Sequence, residues 1–203
     1  MMGNQEMTGL LEKEGYLKTP GIIQAFRKVD RKLFVPDKRA AYQDLPQPIP
    51  RGQTISAPHM VAIMLELLEL KKTDTVLEVG GGSGYAAALL GALAKEVTSL
   101  EVDEALVRLA QRNLEKAGIT NATVLHQDGS KGLPGKKFDK ILFSCAVREI
   151  PSPVLSQLKD PGILLAPVGG PFGQDLILLR KEKGKTLKEN HGGCVFVPLR
   201  SER

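Results

Sequence analysis

The residues of this 203-residue chain that could do chemistry are three acids, each standing where an apolar run ends. Glu78 lies near the end of Thr75-Val76-Leu77-Glu78-Val79 and is followed by Gly80-Gly81-Gly82-Ser83-Gly84. Glu101 ends an apolar stretch in TSLEVD, and Asp128 follows another in LHQDGS, with Gly129 behind it. Glycines after a strand permit positive φ and close backbone approach. A helix starting behind them offers free N–H groups and a positive dipole end. Three ligand classes compete for such a loop. The triphosphatase phosphate loop needs Lys then Ser/Thr after its last glycine, where this chain has Tyr85-Ala86. A dinucleotide fingerprint is met by Gly82, Gly84 and Ala87, with Glu101 roughly 20 residues on as a ribose acceptor. Glu78 breaks the tie. A carboxylate two residues before the first glycine repels a pyrophosphate but attracts the ammonium and sulfonium of S-adenosylmethionine, so E-x-G-x-G-x-G suits a methyl donor better. Glu101 then accepts from ribose hydroxyls and Asp128 from an adenine amino group. Each has a plainer use: Glu101 as a helix N-terminal charge, Asp128 as an Asp-Gly turn.

These acids need strands to carry them. Short apolar runs at 75–79, 97–101, 122–126, 138–144 and 163–168 read as strands, alternating with helical patterns at 59–70, 84–95, 103–117 (stopped by Gly118) and 151–158. Alternation of this kind implies parallel βαβ units in a covered sheet. Two last runs, 175–180 and 194–199, have no helical pattern between them and are expected to form an antiparallel pair. Upstream, helices are predicted at 6–14 and 21–28. Residues 44–58 contain Pro46, Pro48 and Pro50, cannot be one helix, and read as a long extended loop of the kind often used for function. The expected fold is α/β: one domain over 1–203, with a doubly wound, mostly parallel sheet, an antiparallel C-terminal strand pair and an N-terminal helical and loop extension. Residues 1–58 form that extension and 59–203 the donor-binding core. The length suffices for one full core.

Composition narrows the class. Apolar content of 42% and charged content of 25% are ordinary for a soluble globular protein. Trp is absent, so aliphatic side chains must fill the interior. No apolar run is long enough to span a bilayer, and the N-terminus lacks the order of a secretion signal. Cys145 and Cys194 lie far apart and, with three scattered His residues, make no metal-ligand spacing. A reducing cytoplasm is the simplest compartment, with no metal, membrane or nucleic-acid partner expected. The net charge of +5 is spread over groups at 27–31, 136–140 and 180–188, which read as solvated surface.

YQDLPQPIPRGQTISAPHMVA, residues 42–62, resembles the signature of the protein-L-isoaspartate(D-aspartate) O-methyltransferase family. So do VLEVGGGSGY, HQDGSKGLP with FDKILFS, IPSPVLSQLKDPGILLAPVG and the terminal VFVPL. The resemblance covers nearly the whole chain from Val29. It implies a Rossmann-like class I methyltransferase that uses S-adenosylmethionine to methylate the α-carboxylate of L-isoaspartyl residues. The ester then cyclises and returns some normal aspartyl linkage. It implies isoaspartyl proteins and peptides as partners, with a monomer expected. By the same resemblance Ser56 is the active-site serine, and Gln53, Thr54, Ile55 and Ser56 form a loop closing over the donor. Glu78, Gly80, Gly82, Gly84, Glu101, Asp128 and Gly129 bind the donor, while Asp44, Ser56, Val195 and Val197 hold the substrate. Without the resemblance, Ser56 reads as an N-cap two residues before a helix. His59 has a capping or surface role as its equal alternative and stays outside the catalytic set.

The chain departs from the family pattern in three places. FSCAVREI (143–150) replaces an Ala-rich segment, Gln127 stands where Gly commonly precedes the Asp, and GGG replaces G-[TSA]-G. Cys145 reads as a small buried filler. The competing functions are a methyltransferase acting on another carboxylate or a small molecule, a non-catalytic protein retaining the donor pocket, and an NAD-dependent enzyme.

Overall fold

The computed structural model describes residues 2–201; Met1, Glu202 and Arg203 of the expected unit lie outside the described residues. Two short helices open the chain, α1 (Asn4–Lys13) and α2 (Pro20–Lys28). Pro20 occupies the first helical position of α2, where its missing N–H costs nothing, and Ile22, Ala25 and Phe26 share the buried face. Residues 44–58 are not the continuous extended loop expected. They contain an antiparallel ribbon of β1 (Gln47–Ile49) and β2 (Gln53–Ile55), with Ile49 opposite Gln53, joined by a 3-10 turn at Pro50–Gly52. Prolines exclude a helix but are tolerated in a two-stranded ribbon, whose outer edges need no partner. The left-handed pair Arg51 (φ 66°) and Gly52 (φ 67°) turns the chain.

Helix α3 (Pro58–Leu67) leads into the α/β core: β3 (Thr75–Val79), α4 (Tyr85–Leu93), β4 (Glu96–Glu101), α5 (Glu104–Lys116), β5 (Ala122–His126), β6 (Phe138–Phe143), α6 (Ser152–Leu155), β7 (Leu158–Gly170), β8 (Gly173–Glu182) and β9 (Lys185–Cys194). One seven-stranded sheet results, in the order β5-β4-β3-β6-β7-β8-β9. The pairs from β5 through β7 are parallel; β8 and β9 run antiparallel at the edge. Alternation along each central strand splits the core between two faces. Val76, Leu142 and Leu165 pack with the apolar faces of α1 to α5. Leu77, Val79, Ile141, Phe143, Leu164 and Ala166 pack beneath α6 and the loops around it. Strand order reverses between β3 and β6, so the carboxyl ends of these strands flank a switch point, the usual ligand position in such sheets.

Two expected elements are corrected. Helix 151–158 shrinks to the four residues of α6, because β7 begins at Leu158. The last strand is not 194–199 but β9, whose side chains are exposed at nearly every position. Its Lys, Glu and Asn side chains suit a solvent-facing edge and carry no apolar signal. The apolar residues 195–199 instead cross the carboxyl end of the sheet, where Ala146 bridges Pro198.

Candidate active site

The glycine loop after β3 is built by close contacts. Gly84 has φ 85° and precedes α4; a Cβ there would lie 3.1 Å from Ala110 Cβ on α5. At Gly81 a Cβ would stand 2.7 Å from the Ser99 hydroxyl. Only glycine lets the loop lie this close to β4 and α5.

Two narrow clefts, about 40 and 30 Å³, meet at Gly80. Thr54, Ile55, Ser56, Glu78, Gly82 and Ser144 line the first. Gln53, Glu101, Gly129, Cys145 and Leu199 are among the residues lining the second. The fold therefore brings together most of the residues expected at the site, from β2, the β3 loop, the end of β4, the turn after β5 and the C-terminal crossing.

Glu78 is 0% exposed. Its carboxylate accepts from Ser99 Oγ at 2.6 Å and Ser144 Oγ at 2.7 Å. Burial, opposed by these two hydroxyls and helped by nearby Glu101, pushes its pKa up to about 7. No described cation lies within ion-pair distance of it, so a buried acid lining a cleft lacks a counter-charge. Glu101, 8% exposed, accepts the Gly82 N–H at 2.9 Å and the Asp103 N–H at 3.0 Å. It thereby ties the loop to β4. Asp103, not Glu101, caps α5, accepting from Ala105 N and Leu106 N.

Asp128 takes the turn role that its sequence allowed. It caps the 3-10 turn Gly129–Lys131, accepting from Ser130 N at 2.9 Å and Ser130 Oγ at 2.7 Å. Its neighbour Gly129 reaches the cleft, and a Cβ there would stand 2.5 Å from Val79 Cγ1.

Ser56 does not cap α3. The N-cap position is Ala57, and the His59 N–H donates to Asp44 Oδ1 at 2.8 Å instead. Asp44 also meets His59 Nδ1 at 2.9 Å, so it anchors the helix start and lies outside both clefts. The half-buried Ser56 hydroxyl makes no hydrogen bond with any described residue and faces the same cleft as Glu78. Val197 O accepts from Ala146 N at 2.8 Å, while Val195 is 83% exposed.

The ribbon is fastened at both ends. Arg51 Nε lies 2.7 Å from Asp103 Oδ2. With its amide oriented by its surroundings, Gln53 accepts from Arg200 at 2.6 Å from Nη2. Sequence reasoning missed one residue here. Arg31, grouped with solvated surface charge, is fully buried. It donates to Ala41 O at 3.1 Å and Ser56 O at 2.8 Å, and its guanidinium sits 4.9 Å from the Tyr85 ring centroid. Its place between Asp30, which accepts from the Lys32 N–H, and the apolar Leu33-Phe34-Val35 was the available signal.

A parallel sheet with a glycine loop at its switch point, an acid ending the next strand and a serine loop facing them is a Rossmann-like methyltransferase architecture. Fold neighbours agree. A Plasmodium falciparum β-aspartate methyltransferase, solved with S-adenosyl-L-homocysteine, superposes with TM-score 0.89 at 24% identity over 100% of both chains. A solved protein-L-isoaspartate O-methyltransferase reaches TM-score 0.86 at 26% identity, covering 96% of this chain and 65% of that one. In sequence, the family model for protein-L-isoaspartate(D-aspartate) O-methyltransferase matches residues 2–203. The Pyrococcus horikoshii protein-L-isoaspartate O-methyltransferase is 48% identical over 95% of this chain and 90% of its own. Its Methanosarcina mazei counterpart is 44% identical over 92% and 79%. The chain belongs to the protein-L-isoaspartate(D-aspartate) O-methyltransferase family. It is by that membership an S-adenosylmethionine-dependent enzyme that methylates L-isoaspartyl residues of damaged proteins.

Among the described residues, no helix is long and apolar enough to cross a membrane, and no group of His, Cys, Asp or Glu side chains is placed to hold a metal ion.

Proposed function

We propose that Ser56 orients the acceptor carboxylate, and that Glu78 and Glu101 fix the methyl donor along the glycine loop. The observation that carries this is that, among the described residues, the Ser56 hydroxyl has no hydrogen-bond partner and the buried Glu78 in the same cleft has hydroxyl partners but no cationic one. The residues suit the donor: a carboxylate without counter-charge favours a cation, and Gly80 and Gly82 leave backbone open to close approach. When bound, the donor supplies a methyl group on a positively charged sulfur.

No general base is needed, because a substrate carboxylate with a reference pKa of about 3.5–4 is already ionised at neutral pH. Ser56 donates to the carboxylate oxygen that does not attack, leaving the other free and aligned. Reaction of an anion with a cation loses charge on the way to the transition state, so a dry site favours it. The β1–β2 ribbon, held by Arg51 to Asp103 and by Gln53 to Arg200, supports a closed and water-poor cleft. Asp128, through its capped turn, sets Gly129 against the donor cleft. Asp44 acts through α3, fixing the Ser56 loop.

The chain works as one unit, since Met7, Leu11 and Phe26 of the N-terminal helices share a core cluster with Leu89 and Leu142. Two buried free thiols, Cys145 and Cys194, support a cytoplasmic setting. The test is methanol release from two matched peptides, one isoaspartyl and one normal aspartyl. Release from the isoaspartyl peptide alone is expected. Equal release from both would reject the acceptor assignment.

A further inference from the structure

Lys140 belongs to the basic group at 136–140 that reads as solvated surface, yet it is 7% exposed. It is the third residue of β6, paired with Val76 of β3 on one side and Ile163 of β7 on the other. With residues of the α3–β3 connection, the start of β7 and the end of β8, it lines a cavity of about 280 Å³. The cavity lies at the amino end of the sheet. Gly80 and the donor clefts lie at the carboxyl end, four residues or about 13 Å along β3 from the Lys140 row.

An ammonium group between apolar neighbours in a central strand is costly unless something meets its charge. Among the described residues, Lys140 Nζ has no hydrogen bond and no carboxylate within 4 Å. It is not sealed off, so the cavity is the space open to it. Burial lowers its pKa; Asp74 and Glu69 oppose this through space, while Lys71 and Arg180 add to it.

The acids of the lining are largely engaged. Glu69 pairs with Arg180 at 2.8 Å, Asp139 with Lys159 at 2.9 Å and Glu182 with Lys183 at 3.7 Å. Asp74 accepts the Lys71 N–H at 2.9 Å but has no cation paired with it. On the other side of the balance, Lys71 and Lys181 line the same cavity and, like Lys140, have no ion pair among the described residues. Three unpaired ammonium groups against one unpaired carboxylate leave two positive charges around the cavity. Arg180 stands in the same row across Ile163, about 10 Å from Lys140 between Cα atoms, so the space is flanked by cations on both sides.

We infer that this cavity is a binding site for a small phosphate-type dianion, with Lys140 as its buried contact. A doubly charged tetrahedral anion balances the unpaired charge, and the volume is just below that of drug-sized pockets, which suits a small ion or ester. The site is separate from the donor clefts and belongs to the opposite end of the sheet.

The test is thermal unfolding of the protein saturated with S-adenosylhomocysteine, titrated with inorganic phosphate at constant ionic strength. Keeping the donor clefts filled removes them as alternative phosphate sites. A rise in Tm of about 3–5 °C is expected at ten times the dissociation constant. Sulfate should act similarly, and acetate or chloride should not. Glycerol phosphate in place of inorganic phosphate tells an ester ligand from the free ion, tighter binding of either one supporting the site. Lys140→Met keeps the apolar stem; it should melt no lower than wild type without phosphate and lose the rise. Lys71→Ala should weaken phosphate binding at least threefold, while Lys13→Ala, exposed on α1, should leave it unchanged. An equal rise with acetate or chloride, a rise that survives Lys140→Met, or full affinity in Lys71→Ala overturns the site. So does a Lys140→Met protein that melts lower or fails to fold without phosphate, because the charge of Lys140 would then already be met by the fold. Each of these failures leaves the donor and acceptor assignments intact.

Discussion

The Arg31 guanidinium, fully buried, donates to the backbone carbonyl of Ser56 across 2.8 Å. A second N–H of the same group satisfies Ala41 O at 3.1 Å. One side chain from the N-terminal region thus holds the backbone of the residue assigned to orient the acceptor. Arg31→Met keeps much of the volume but leaves two carbonyls without a donor, at about 1–3 kcal/mol each. Urea unfolding should show a loss of about 3 kcal/mol, and turnover should fall. A double-mutant cycle with Ser56→Ala separates the two effects. Strong non-additivity in kcat is expected if Arg31 works by positioning Ser56. Additive losses would assign Arg31 to the fold alone.

Ser56 and Asp44 should separate activity from stability. Ser56→Ala removes a hydroxyl with no described partner, so unfolding should shift by less than about 0.5 kcal/mol. Turnover of an isoaspartyl peptide should drop about a hundredfold, the order expected when one donor to a reacting group is lost. Donor affinity should hold within about twofold. Asp44→Ala should do the reverse in stability, costing about 1 kcal/mol because the His59 N–H loses its cap. Unchanged turnover in Ser56→Ala would remove the serine from the reaction.

The parallel core was legible because its strands carry short apolar runs, with β3 running into Gly80 and β4 ending at Glu101. Thr75–Val79 and Ala122–His126 match their predicted bounds. Glu78 and Glu101 were legible for the same reason, since strand ends and the loop between them are local in sequence. What failed was not local. The β9 edge is polar on both faces and carries no periodic signal, while apolar 195–199 imitates a strand because Phe196 is buried and Val197 and Leu199 hydrogen-bond to the backbone of Ala146. The ribbon hid behind prolines that exclude only a helix. Arg31 was misplaced because nothing in composition tells a surface arginine from one that satisfies carbonyls 10 and 25 positions away.

Glu101 ties the glycine loop to β4, and its proposed second role is to accept from the ribose of the donor. Glu101→Gln keeps the shape but halves the acceptor capacity, so either Gly82 N–H or Asp103 N–H is weakened. Calorimetry with S-adenosylhomocysteine should show at least a tenfold loss of affinity, about 1.4 kcal/mol. Saturating kcat should change little. Native affinity in this variant would cancel the ribose assignment.

Glu78 should make both stability and donor binding depend on pH. Its ordinary value of 4.5 rises to about 7 in the fold, chiefly through burial. Between these values the native state keeps a proton that the unfolded chain has released, so stability falls as pH rises through that window and levels off above it. At 1.36 kcal/mol per unit the loss is at most about 3 kcal/mol, and Glu78→Gln should flatten the curve. A cationic donor favours the ionised carboxylate and lowers its pKa. Binding of S-adenosylmethionine at pH 6 should therefore release close to one proton, with release fading above about pH 8. Titration in two buffers of different ionisation enthalpy measures this directly. The same enthalpy in both buffers at pH 6 would mean that Glu78 does not face the donor's charge. Glu78→Gln should bind more weakly at pH 8 and release no proton at either pH.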